Sequence, residues 1–133
     1  MIAQGTQDYT ENELSKIVLL SAINVHRNLG PGLLESAYQK CLSYELSKEG
    51  LNVESEKPLP LVYEDVHLEA GYRVDLLINK KVIVEVKSVD TLGDIHLAQV
   101  ITYLKLSGCK LGLLINFNSV LLKDGFRRVV NNL

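Results

Sequence analysis

Only two cysteines occur in 133 residues, and their positions rule out a disulfide framework or a zinc cage. Cys41 lies within a helical pattern and Cys109 just after a glycine, so both read as small buried residues. No apolar run approaches the roughly 18 residues needed to cross a bilayer. Residues 1–10 lack the basic start and apolar core of a secretory leader. These absences predict an intracellular, cytoplasmic protein with no membrane partner. Walker loops, dinucleotide fingerprints, internal repeats and low-complexity tracts are also missing. A strong excess of one charge is lacking too, since 14 Lys/Arg stand against 16 Asp/Glu, so net charge does not advertise a nucleic-acid binder. The distribution is uneven, however. Residues 1–78 carry 6 Lys/Arg against 12 Asp/Glu, and residues 79–133 carry 8 against 4. Some of Lys80, Lys81, Lys105, Lys110, Lys123, Arg127 and Arg128 could form a phosphate-binding patch, or they could be a scattered solvated surface.

What is present is an ordinary soluble composition, 47% apolar and 23% charged. The length fits a single domain over 1–133 with a flexible N-terminus at 1–10, and leaves no room for a separate recognition domain. The most informative stretch is Tyr72 to Ser88. Two apolar runs flank Asn79-Lys80-Lys81, the pattern of an antiparallel hairpin. A three-residue loop at 79–81 sets Asp75 directly across from Glu85, with Cβ atoms roughly 5 Å apart. Glu85 and Lys87 share a face, because side chains alternate along a strand. Two carboxylates held that close repel unless a cation sits between them, and a hard divalent ion is the usual answer. Lys87 on the same face suits positioning a water or offsetting negative charge. A solvated face with cross-strand ion pairs would use the same residue types. The preceding Val82-Ile83-Val84 is too apolar for an exposed strand, and that favours chemistry.

The remaining elements follow from caps and periodicity. Thr10-x-x-Glu13 is a capping box for a helix over 10–29, with Leu14, Ile17, Val18, Ser21 and Val25 as its inner stripe and Gly30 as its stop. Gly30-Pro31-Gly32 separates it from a second helix, Leu33 to Glu49, with a stripe of Leu34, Tyr38, Cys41, Leu42 and Leu46. Glu35 borders that stripe. Leu51 to Tyr63 reads as a strand that Pro58 and Pro60 confine to an edge or a bulge. Glu64-Asp65 reads as a turn, with a short continuation at 66–69 before Gly71. Thr91-x-x-Asp94 predicts a cap for a third helix over 93–107, whose His96, Gln99, Val100 and Tyr103 share one face. His26 and His67 receive no chemical role. Lys110 to Asn116 predicts a central strand, parallel to the Glu85 strand through the helical crossover. Residues 119–122 suggest a short strand, and 125–130 either a strand or a helical turn.

Asp75 followed by Glu85-Val86-Lys87 resembles the active-site motif of the PD-(D/E)XK nuclease superfamily. Within it, Gly32, Glu35 and Tyr38 match the spacing of the GxxExxY proteins, and Gly71 to Asp75 and Leu111 to Asn118 continue the likeness. The resemblance covers about residues 12–131. It implies an α/β fold, a restriction-endonuclease-like mixed β-sheet flanked by helices on both sides. It also implies Mg²⁺ or Mn²⁺ at Asp75, Glu85 and the backbone carbonyl of Val86, with Glu35 completing the shell or holding a water. Lys87 would be catalytic. Gln99 and Tyr103 resemble the glutamine and tyrosine that support the lysine and the nucleic acid in the helicase-linked exonuclease branch. The expected function is metal-dependent phosphodiester hydrolysis, with DNA as the expected partner and a homodimer possible. The alternatives are an inactive nuclease-like module that binds nucleic acid or protein, and a purely structural domain.

Overall fold

The computed structural model describes residues 8–133; the expected flexibility of residues 1–7 lies outside the described residues. From Asp8 onward the chain is tied down, because the Lys81 ammonium donates to Asp8 Oδ1 and to the Tyr9 carbonyl, both at 2.6 Å. Helices α1 (Glu11–Leu29) and α2 (Glu35–Lys48) precede strands β1 (Val53–Tyr63), β2 (Val66–Ile78) and β3 (Val82–Lys87). Helix α3 (Asp94–Ser107), β4 (Leu111–Asn116), a 3-10 turn (Leu122–Gly125) and β5 (Phe126–Val130) complete the chain. The five strands form one sheet in sequence order. β3 and β4 are parallel and the other pairs antiparallel, which makes the sheet mixed.

The two faces of the sheet are covered by different helices, as the alternation of apolar residues requires. Val82, Val84 and Val86 of β3 and Leu111, Leu113 and Ile115 of β4 pack with α1 and α2. Ile83 and Leu114 pack with Val100 and Leu104 of α3. Gly112 is what lets α3 come close, since a Cβ there would lie 2.5 Å from Val100 Cγ1. The fold is therefore α/β, a mixed sheet with helices on both sides. The parallel β3-α3-β4 crossover forms as the sequence predicts, and β3 occupies the centre of the sheet.

Helix α1 begins with the expected box: Glu13 N–H donates to Thr10 Oγ1 at 3.1 Å and Thr10 N–H to Glu13 Oε1 at 2.9 Å. The turn before α2 explains why a tyrosine stands at position 38. Gly32 adopts φ 97°, a left-handed value that suits glycine. The buried Tyr38 hydroxyl donates to the Gly30 carbonyl at 2.6 Å and accepts from Leu33 N–H at 3.0 Å, while its ring stacks on Phe117 at 4.6 Å. Tyr38→Phe keeps the stack but leaves both backbone groups unpaired. We expect a loss of roughly 1–3 kcal/mol, read by urea unfolding.

The structure revises several expectations. Leu34 is not in the α2 stripe; it is the N-cap and 77% exposed, because the Gly30 to Gly32 turn delays the helix to Glu35. The N-cap of the third helix is Gly93 rather than Thr91, and His96 Nδ1 accepts from Gly93 N–H at 2.9 Å. β2 is one continuous strand, and the break expected before Gly71 is a bulge within it: Leu59 pairs with Tyr72 and Leu61 with Leu68, so residues 69–71 of β2 stand against Pro60 alone. Residues 119–122 form no strand: 119–121 are bends and Leu122 begins the 3-10 turn. The chain bends there so that Gly125 can pack under Asn116 and Ser119, leaving no room for a Cβ at 125. Both cysteines are free and half-buried rather than fully buried.

Candidate functional site

The hairpin register matches the three-residue loop: Ile78 pairs with Val82, Leu77 with Ile83 and Leu76 with Val84. Asn79 and Lys80 take the left-handed φ values that close it, 50° and 57°. The same register carried one step further sets Asp75 beside Glu85, but the ladder ends first. Asp75 has no Cα partner on β3 or on β1, where Ser55 pairs with Leu76 and Lys57 with Val74 around it. Alternation breaks at the same residue. Val74 packs in the α3 cluster, whereas Leu76 and Ile78 pack in the opposite one, although a regular strand would put all three on one face.

Side chains replace the missing ladder bonds. Asp75 N–H donates to Glu85 Oε2 at 2.8 Å, and Val86 N–H donates to Asp75 Oδ2 at 2.8 Å. Each carboxylate thus caps the other strand's backbone, which holds the two side by side. Burial, followed by the charge of Asp75, pushes Glu85 up to about 8 from an ordinary 4.5. Burial also raises Asp75, while the Val86 N–H and the Lys87 ammonium pull it down. Glu85 is 4% exposed, so its carboxyl has little water to stabilise its charge.

The other predicted residues are placed as follows. Lys87 ends β3, half-buried, and its cation lowers both acids. Glu35 is exposed at the start of α2, where its Oε2 accepts from Ser88 N–H at 3.2 Å. Ser88 Oγ donates to the Leu33 carbonyl at 2.7 Å, so α2 is fastened to the end of β3. Among the described residues no hydrogen bond joins Glu35 to the pair, yet its charge raises Asp75. Tyr103 stacks on Tyr72 at 5.0 Å, and burial, then Glu85 and Asp75, raise its hydroxyl. Gln99 is half-buried on the same helix face. Among the described residues, no hydrogen bond joins Gln99 or Tyr103 to Lys87. The basic patch is partly spent on structure: Lys80 pairs with Glu54, Lys81 with Asp8, and Arg128 donates to Asn12.

Two neighbours escaped the sequence reading. Gln39 is buried and donates to the Asp75 carbonyl at 3.3 Å and to Glu56 Oε1 at 3.1 Å. Glu56 stands opposite Asp75 in β1, and its charge raises both acids. The signal was available in principle, because Gln39 lies four residues after Glu35 and so on its helix face.

As donors, Asp75 and Glu85 suit a hard divalent cation. One oxygen of each caps a backbone N–H, and the other makes no hydrogen bond among the described residues. No group of three or more His, Cys, Asp or Glu side chains stands at metal-binding spacing among the described residues. Two carboxylates alone would leave the rest of a cation's shell to waters and backbone oxygens, a donor set that suits Mg²⁺. No described helix is long and apolar enough to cross a membrane. No curated protein and no solved structure matches the chain. A family model described as the PD-(D/E)XK nuclease superfamily matches residues 12–129, which hold the sheet, the three helices and the Asp75–Glu85 pair. The chain belongs to the PD-(D/E)XK nuclease superfamily.

Proposed function

We propose that the protein is a metal-dependent nuclease that hydrolyses phosphodiester bonds in DNA. The observation that carries this reading is the reciprocal Asp75–Glu85 pair, two carboxylates kept together and largely buried at the point where the sheet ladder opens. An inactive scaffold would gain stability by losing one of them. Nucleases of this superfamily generally use divalent ions such as Mg²⁺. Asp75, Glu85 and the Val86 carbonyl would hold Mg²⁺ or Mn²⁺, and Glu35 would hold one of its waters. When bound, such an ion offsets negative charge on a phosphate oxygen and acidifies water. Lys87, the next residue but one on the Glu85 strand, would orient the attacking water and offset charge as the bond breaks. Tyr103 and Gln99 would steady Lys87 or a phosphate. The Gly32, Glu35 and Tyr38 spacing supports kinship with the GxxExxY proteins, because all three residues build the turn and helix start beside the site.

Labelled single-stranded, duplex and branched DNA and RNA, each with Mg²⁺, Mn²⁺ or EDTA, test the proposal against an Asp75→Ala control. Metal-dependent cleavage of DNA that the control lacks is expected. Cleavage of RNA alone would correct the substrate. No cleavage of any probe, with nucleic acid still bound, would show an inactive binding module instead.

A further inference from the structure

Helix α2 reaches the break in the ladder at Asp75 through Gln39. Gln39 is 9% exposed, and its single amide nitrogen contacts the Asp75 carbonyl and Glu56 Oε1, which uses both of its hydrogens. Glu56 faces Asp75 across the missing β1–β2 pair and has φ 51°, a left-handed value that costs a non-glycine residue on the order of 1 kcal/mol or more. Its other oxygen meets Arg73 Nε at 3.0 Å. The Glu56 carboxylate is therefore already claimed by two donors.

We propose that Gln39 is a positioning residue, which keeps the Asp75 peptide out of the ladder and holds the Glu56 carboxylate toward α2, so that a divalent cation meets Asp75 and Glu85 in a fixed aim. The inference rests on the cation reading above. Glu35 and Gln39 stand at i and i+4 on α2, so one helix face fastens both strands that carry the pair, β3 through Ser88 and β2 through Asp75. Without the Gln39 amide, the Asp75 carbonyl loses its buried donor and Glu56 is released beside two like charges.

Gln39→Met keeps the side-chain length and removes the donors. Amide hydrogen exchange of the metal-free protein is read by NMR, and Mn²⁺ affinity by calorimetric titration. Exchange at the Asp75 and Val86 N–H groups is expected to quicken about tenfold while Leu77 stays protected. Mn²⁺ affinity is expected to fall 10- to 100-fold, the usual effect of losing a partner behind a metal ligand. Unchanged exchange at these two amides overturns the proposal, and so does quicker exchange with unaltered Mn²⁺ affinity, which would leave Gln39 a merely structural residue. If wild type takes up no Mn²⁺, the cation reading itself fails. That failure is distinguishable, because the exchange data are collected without metal. Should Gln39→Met not fold, Glu56→Ala on the exposed strand removes the second acceptor of the same amide. It is expected to quicken the same two amides about threefold, and no change there counts against the proposal.

Discussion

Glu85→Gln is expected to abolish cleavage and to stabilise the metal-free protein at pH 8. Glutamine keeps an oxygen where Glu85 Oε2 accepts the Asp75 N–H, so the strand junction survives. What disappears is a charge that burial and Asp75 both disfavour. The gain should be a few kcal/mol, or a melting temperature about 10 °C higher for a domain of this size. The loss of activity should be at least about 10³-fold, because a bound ion contributes several kcal/mol to such a transition state. Differential scanning calorimetry and a cleavage assay on the same preparation check both. A variant that melts lower than wild type at pH 8 would show that the carboxylate earns stability from a partner not included in this account.

The second large effect is the pH dependence of the metal-free fold. Glu85 has a folded-state value of about 8, above the ordinary 4.5 of an unfolded chain. Between those values the folded protein binds the extra proton, so its stability falls as the pH rises. The contribution is complete below about 4.5 and is lost as the pH passes about 8. Asp75 is raised too and acts in the same direction. Asp8, Glu45 and Glu54 are lowered by their lysine partners, so their contributions are lost only at more acid pH and do not oppose the trend in this window. From pH 5 to pH 8 the metal-free protein should lose a few kcal/mol, and Glu85→Gln should remove most of that slope. Millimolar Mg²⁺ should restore stability chiefly at the alkaline end, where the ligands are ionised. A flat profile from pH 5 to pH 8 in wild type would contradict the buried-pair description.

Much of this site could be read from residue order, and the limits have physical causes. The loop at 79–81 fixes the hairpin register, and the register brings Asp75 and Glu85 together. Pro58 and Pro60 could only lie on an edge or at a bulge, and β1 is the edge strand with its register shift at Pro60. Hidden from the sequence was the way the pair is held. A strand pattern carries no sign that two carboxylates will replace ladder bonds, since that depends on where β2 and β3 part. Gln39 and Glu56 were missed for the same reason, because their roles exist only relative to the break at Asp75. Leu34 misled because its neighbours are apolar, while the Gly30 to Gly32 turn leaves it outside the helix. The supporting roles of Gln99 and Tyr103 rest on a shared helix face, which the structure reproduces without joining either one to Lys87.

The most direct test of the carboxylate pair as a cation site is calorimetric titration of Mn²⁺ into wild type and Glu85→Gln at pH 8. One ion per chain is expected in wild type, with proton release because Glu85 must ionise to bind, and no comparable uptake in the variant. Equal binding by both proteins, or none by wild type, would contradict it.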